Sequence, residues 1–305
     1  MAESLTLSVP PELDGERVDK TLAMMLEISR AGARLLIDRG VEIDGVPARP
    51  RDRTAAGSVI VTPKPDLHPS VQPEDVSFGV IYEDDALLVV DKPPGVVVHP
   101  GSGNVTGTLV SGLLFRYPDV EGVGAPGRWG LVHRLDRDTS GAMIVARTQA
   151  SFDSLTSQLA RRDISRVYRS LVQGIIGIPT GTIEAPIGRD PAYPTRRAVI
   201  AGGKEATTHY EVLEEFPASE TSFVEVRLDT GRTHQIRVHM ATIGHPIMGD
   251  RVYGAKPSQV EAQRPFLHAY RLSFQHPETG VVVEVESPLP DDLQEILDAV
   301  SRLEP

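Results

Sequence analysis

The stretch Gly130-Leu131-Val132-His133-Arg134-Leu135-Asp136-Arg137-Asp138-Thr139-Ser140-Gly141 decides how the rest of this chain is read. Apolar residues lead into it, a polar knot follows, and Ala142-Met143-Ile144-Val145-Ala146 leads out. Short apolar runs bounded by glycine read as buried strands. The knot from His133 to Gly141 is therefore predicted to be a tight loop hung between two core strands, the setting in which a carboxylate keeps its aim. Arg134 or Arg137 is placed to pair with Asp136 or Asp138. Taken alone, such a loop reads first as a set of local salt bridges closed by a Thr-Ser-Gly turn.

Two sharper readings compete. His133-Arg134-x-Asp136 has a faint likeness to a protein-kinase catalytic loop, but the aspartate is one place too late, and the following asparagine, glycine-rich loop and DFG triplet are missing. A metal site is the other. His133 and Asp136 are three apart, a helical rather than a loop spacing, and no third ligand stands nearby.

The full string His-Arg-Leu-Asp-x-x-Thr-Ser-Gly resembles the signature of the RluA-type family of RNA pseudouridine synthases. The resemblance implies that Asp136 is the catalytic residue and that Arg134 helps extrude or replace the flipped nucleotide, with His133 also facing the substrate. Two later segments support it. Arg166-Val167-Tyr168-Arg169-Ser170-Leu171-Val172 alternates like a strand and resembles the family's [Lys/Arg]-x-Tyr-x-x-Leu-Val motif. There the tyrosine packs on the target base, a role that falls to Tyr168. Gly231-Arg232-Thr233-His234-Gln235-Ile236-Arg237-Val238-His239 reads as a polar turn feeding a helix and resembles the third motif. By that resemblance Arg237 pairs with Asp136 and Ile236 floors the pocket. A guanidinium is the partner a carboxylate in a dry pocket needs. His234 and His239 are five apart, off the spacing of a helical metal pair.

Composition bounds the rest. The chain has 305 residues, enough for about two domains, and a net charge of −11. It has no cysteine, which excludes disulfides and thiolate metal sites. No signal-like segment opens the sequence and no apolar run approaches the roughly 18 residues of a membrane span, so a cytoplasmic protein without membrane contact is expected. An acidic chain that binds RNA must carry its basic groups locally.

Such a local excess lies near the start. Residues 1–14 read as a polar tail or a single edge strand. In residues 15–62, Val18, Leu22, Met25 and Leu26 mark one helix. Ser29 reads as the cap of a second, which carries Ala33, Leu36 and Ile37 on one face and ends at Gly40. An Asp44-Gly45 turn joins two short strands. Between Ser29 and Lys64, seven basic residues face four acidic ones, leaving +3. Arg30 and Arg34 share a helix face. Arg17-Val18-Asp19-Lys20, Ser29-Arg30 and Ile37-Asp38-Arg39-Gly40-Val41 resemble an S4-type RNA-binding domain, which implies that Arg30 and Arg34 meet structured RNA. The commoner lysine-rich stretch is replaced by Pro47-Ala48-Arg49.

Pro63, Pro65, Pro69 and Pro73 suggest an extended linker over 63–79. The segment from Val80 to Gly95 resembles the family's first motif, with Lys92 expected in a surface ion pair. The loop around Trp129 is glycine-rich, with Trp129 read as a packed anchor. Gly101-Ser102-Gly103 is not a dinucleotide fingerprint, because the next glycine is at 107. Arg196 and Arg197 lie in a loop as further phosphate contacts.

The expected architecture is α+β: an S4-like domain before a catalytic domain over 80–305, built on a mixed, largely antiparallel sheet. The resemblance implies conversion of uridines to pseudouridine in RNA. With an S4-like domain it points to the large-ribosomal-subunit synthases, the D type most closely, and so to 23S ribosomal RNA or its precursor. The reaction changes no oxidation state and needs no energy input, so neither cofactor nor metal is implied. A monomer is expected. The alternatives are the same chemistry on transfer RNA, or a non-catalytic RNA-binding ribosome-assembly factor.

Overall fold

A computed structural model describes residues 4–26, 30–63, 71–100, 106–124, 127–193 and 195–305. The chain forms two compact units, Met1–Ser70 and Val71–Pro305.

In the first unit β1 (Ser4–Ser8), α1 (Val18–Met25), α2 (Arg30–Asp38), β2 (Glu42–Ile43), β3 (Val46–Pro47) and β4 (Val59–Pro63) follow in order. The strands pair antiparallel as β1-β4-β2-β3. The predicted helix faces meet here: Val18, Leu22, Ala33, Leu36 and Ile37 are buried with Val41 and Ile60. Asp44 and Gly45 both take positive φ, the geometry of a two-residue hairpin, and Asp44 accepts a hydrogen bond from the Val59 amide at 2.8 Å. The first residues are not a tail. From Ser4 they pair along β4 as an edge strand, and Val9 and Leu13 are buried in the same core. The chain is anchored because its apolar side chains have a core to enter. Ser29, expected as a helix cap, lies outside the described residues, as do Lys64, Pro65, Pro69 and the Gly101–Gly103 run.

The second unit contains β5 (Gly79–Glu83), β6 (Leu87–Lys92), α3 (Leu109–Arg116), β7 (Ser140–Ala146), α4 (Gln149–Arg161), β8 (Ser165–Gln173) and β9 (Thr180–Glu184). It continues with β10 (Ile187–Arg189), β11 (Arg197–Val199), β12 (Thr207–Phe216), β13 (Thr221–Leu228), α5 (Gln235–Thr242), β14 (Leu267–Gln275), β15 (Val282–Glu286) and α6 (Asp291–Ser301). Nine strands form one sheet, ordered β5-β6-β7-β14-β8-β13-β12-β9, with β15 also on β14. Every pairing is antiparallel except β7 with β14. The sheet is covered on both faces, as its apolar central strands require. Leu88, Val90, Met143 and Val145 belong to a core shared with α3, α5 and α6. Their alternates Leu87, Val89, Ala142 and Ile144 pack with Phe152 and Leu155 of α4.

The predicted linker shortens. Val71 and Phe78 pack on the larger core, the Glu74 amide donates to the Ser111 carbonyl at 3.1 Å, and Glu74 accepts from the Gly107 amide at 2.8 Å. Residues 71–78 therefore strap α3 rather than space two domains, and the second unit begins at Val71, before the expected 80. At Gly112 of α3 a Cβ would come within 2.8 Å of the Val76 carbonyl, so only glycine lets the strap lie this close. Among the described residues no helix is long and apolar enough to cross a membrane.

Candidate active site

The loop before β7 is held by backbone rather than by its own salt bridges. Its lead-in is shorter than predicted: only Leu131 bridges to β7, opposite Val145, and the Gly130 carbonyl accepts from the Ala146 amide at 2.8 Å. Trp129 and Gly130 both have positive φ, and a Cβ on Gly130 would sit 2.0 Å from the Ala146 carbonyl oxygen, so only glycine lets the chain lie this close to the end of β7. At the far end Gly141 has φ +113°, and a Cβ there would meet the Ala269 carbonyl oxygen at 2.3 Å. The Thr-Ser-Gly end of the motif is thus a demand of the close approach of β7 to β14.

Three side chains fix what lies between. Lys92, expected on the surface, is wholly buried, and its Nζ donates to the carbonyls of Pro93, Val96 and Arg137 at 2.7, 2.9 and 2.9 Å. Burial, only partly offset by Asp138, brings its ammonium down to about 8. Arg264 donates to the Asp138 carbonyl at 3.0 Å and to Ser140 Oγ at 3.2 Å, while Asp292 grips it through two oxygens at 2.7 and 3.0 Å. His133 accepts the Ile144 amide on Nε2 at 3.1 Å. Burial, with a smaller push from Arg166, lowers His133 to about 3, so it is neutral and its proton sits on Nδ1.

So held, the loop presents Asp136. The residue is partly buried, its side chain 19% exposed. Oδ2 accepts from Arg237 Nη1 at 3.3 Å, and Oδ1 has no hydrogen-bond partner among the described residues. Arg137, itself exposed, instead pairs with its half-buried neighbour Asp138 at 3.1 Å. Arg134 is exposed, with no hydrogen-bond or ion-pair partner among the described residues.

Arg237 is anchored elsewhere. It stands on α5, and its stronger partner is Asp250, fully buried, which it grips through Nε at 2.6 Å and Nη2 at 3.0 Å. Asp250 also accepts the amides of Val252 and Tyr253. The Arg237 guanidinium lies 5.0 Å from the Tyr253 ring centre. The Tyr253 hydroxyl accepts from the Arg197 amide at 2.9 Å and shares a hydrogen bond with His234 Nδ1 at 2.7 Å. Burial works against the Arg237 charge, yet Asp250 and then Asp136 raise its pKa above the ordinary guanidinium value.

The turn before α5 is locked by Gln235. Its amide oxygen accepts from Thr230 Oγ1 and the Arg232 amide, and its nitrogen donates to Thr207 and Thr208. His239 is structural: Thr208 Oγ1 lies 2.9 Å from its Nδ1, and the Ala185 carbonyl 2.9 Å from its Nε2. Among the described residues no three side chains converge as a metal site.

Tyr168 projects from β8, 6% exposed, with its hydroxyl pKa raised by burial and then by Asp136. Asp136, Arg134, His133, Tyr168, Ile236 and Arg237 all line one cleft of about 510 Å³. Six of the eight expected site residues therefore converge. Arg30 and Arg34 stand in the first unit, where both bond Asp19. Arg196 stacks on Tyr193 at 4.8 Å, and Arg197 opens β11. Asp250, Lys92 and Arg264 are the supporting groups that sequence reading missed. Asp250 lies eleven residues beyond the motif that ends at His239, and its burial is visible only in the structure.

Comparison with known proteins agrees with this geometry. The RNA pseudouridylate synthase family matches residues 86–242. The ribosomal large subunit pseudouridine synthase D of Neisseria meningitidis is 44% identical, over 98% of this chain and 82% of that one. Its counterpart of the same name from Pseudomonas aeruginosa is 42% identical over 93% and 92%. The solved human RNA pseudouridylate synthase domain containing 1 superposes with a TM-score of 0.57 at 28% identity, covering 75% of this chain and 96% of that one. With a loop carboxylate facing an anchored arginine across a cleft, and with relatives of this identity along nearly its whole length, the chain belongs to the RNA pseudouridylate synthase family.

Proposed function

We propose that this protein converts specific uridines of large-subunit ribosomal RNA to pseudouridine, with Asp136 as the catalytic carboxylate. The observation that carries the reading is the carboxylate itself. One oxygen is steadied by Arg237 and the other has no partner among the described residues, in a cleft walled by Tyr168 and Ile236. The ribosomal substrate rests on the relatives whose names state it.

The reaction breaks the bond between C1′ and N1, turns the base and rejoins it through C5. Asp136 acts either as nucleophile or as base toward a sugar proton, and both need a free oxygen at the reacting atoms. The target must first leave its stack, at a cost of about a few kcal/mol. Arg134, exposed and without a partner among the described residues, takes the place of the extruded nucleotide. Tyr168 stacks on the base and Ile236 closes the pocket floor. His133 shapes the wall and ties the loop to β7. The first unit is read as S4-like, with Arg30 and Arg34 toward structured RNA, and the protein as a cytoplasmic monomer.

The test uses ribosomal RNA from cells lacking the protein, treated with wild type or Asp136→Asn and mapped for pseudouridine by carbodiimide primer extension. New stops with wild type only are expected. Equal stops with both proteins would remove Asp136 from its role. Modification of transfer RNA alone would move the substrate, and none anywhere would favour an RNA-binding factor.

A further inference from the structure

The cleft contains a second buried guanidinium for which the roles above have no use. Arg166 stands two residues before Tyr168 on β8, so both side chains leave the same face of the strand, about 7 Å apart along it. It is 5% exposed and lines the cleft. Nη2 donates to the carbonyls of Leu228 and Asp229 at 3.3 and 3.2 Å. Nε is buried and has no partner among the described residues. Nη1 has none among the described residues and lies 2.8 Å from where a Cβ on Gly231 would stand. The motif glycine thus leaves room for this nitrogen. No carboxylate among the described residues forms a salt bridge with Arg166, although Asp229 pairs with Arg162 at 3.7 Å and with His209 at 3.1 Å. A buried cation with donors to spare is costly unless something negative arrives.

The chemistry supplies such a group. When the C1′–N1 bond breaks, its electron pair stays on N1 and spreads over the O2 and O4 carbonyl oxygens. If Asp136 adds to the ring instead, the displaced pair again goes to a carbonyl oxygen. After the base turns, C5 gives the pair that forms the C1′–C5 bond, C5 loses its proton and N1 gains one. No oxidant or reductant enters. In every route the base is transiently anionic, and its charge sits on acceptor oxygens.

We propose that Arg166 donates to a carbonyl oxygen of the flipped uracil and stabilises the negative charge the base carries while it is off the sugar. The inference rests on the pseudouridine reading above. Depth favours the base over a backbone phosphate. Arg128, Arg162 and Arg232 line the same cleft from exposed positions and suit phosphates, whereas Arg166 is buried on the same strand as Tyr168. Arginine is a donor only, so it accepts the uracil face but opposes the exocyclic amine of cytosine.

The experiment compares wild type, Arg166→Ala and Arg166→Gln in single-turnover pseudouridine formation at saturating ribosomal RNA, with RNA affinity and melting temperature measured alongside. The rate of Arg166→Ala is expected to fall about 100-fold, the loss seen when one preorganised donor is removed. RNA affinity should hold. Added guanidinium should restore part of the rate, and urea, similar in shape but neutral, should not. Arg166→Gln keeps a donor for the Leu228 and Asp229 carbonyls without the charge. It carries the test if the alanine variant does not fold, with a slower rate expected at unchanged affinity and melting temperature. Wild-type rates in the variants would overturn the inference while leaving the pseudouridine reading intact. So would a loss that tracks melting temperature and resists guanidinium, which would make Arg166 only a clasp between β8 and the end of β13. Wild type that forms no pseudouridine would overturn the reading itself and this inference with it.

Discussion

Asp19 in the first unit and Asp136 in the second both face arginines, and they are used in opposite ways. Asp19 is fully buried and meets Arg17, Arg30 and Arg34 at 2.9 to 3.3 Å. Burial alone would push its carboxyl up, but hydrogen bonds from Arg17 and Arg30 outweigh that and hold it at about 2. Among the described residues the Asp136 carboxylate has a single partner, at 3.3 Å, an arginine whose firmer grip is on Asp250. In the first unit the acid is the fixed point and the arginines are arranged around it. In the second the arginine is the fixed point and the acid is left with capacity to react. The difference teaches that the same ion pair can be architecture or machinery, and that the third partner decides which.

The comparison is broken most sharply by exchanging each aspartate for asparagine. Asp136→Asn should lower single-turnover pseudouridine formation by at least about 10⁴-fold, with the fold kept, as loss of a central catalytic group does. Asp19→Asn should leave that rate unchanged at saturating RNA. Next comes Asp250→Asn, which frees Arg237 from its anchor. Its rate should fall by about 100-fold through misplacement of a group that does no chemistry itself. An unchanged rate would show that Asp136 alone positions Arg237.

Arg30→Gln with Arg34→Gln should weaken RNA binding and lower the salt slope by about 0.7 to 0.9 for each lost phosphate contact, leaving the rate at saturation alone. The smallest effect concerns acid stability. Asp19 titrates lower in the folded state than its ordinary 3.8, so its contribution is complete above that pH and is lost as pH falls toward about 2. Its partners are partly exposed and screened by water, so Asp19→Asn should cost about 1–2 kcal/mol at neutral pH. The difference from wild type should vanish by the acid end in denaturant melts followed by circular dichroism.

The ends of the catalytic loop were legible because they are backbone demands. A glycine forced where a Cβ would fall 2.3 Å from a carbonyl oxygen, as at Gly141, leaves a mark in the sequence. Helix faces in the first unit were legible for the same kind of reason, since Val18 and Leu22 repeat with the helix. The approach of Arg237 to Asp136 spans 101 positions and was available only through resemblance, not through spacing. Lys92 was misread because its partners are carbonyls, one of them 45 residues away, and carbonyls are the same in every residue. Arg166 drew no role because an arginine at the start of an alternating strand is ordinarily solvated. Its burial comes from the Leu228–Asp229 carbonyls of a strand end 62 and 63 positions on.

The parallel seam between β7 and β14 has a consequence for synthesis. Asp136 belongs to the part of the sheet made first, Tyr168 and Arg237 to the part made later, and the strand inserted between β7 and β8 is Leu267–Gln275. A chain leaving the ribosome can complete the core of its first unit early, but it has no β14 to join the two halves until almost all of it has emerged. Pairings so distant in sequence form late and slowly. A chain that ends before this strand can hold a folded first unit without the sheet that sets Asp136 against Tyr168 and Arg237. Competence arrives in one step, near release, when the strand after Phe266 closes the gap.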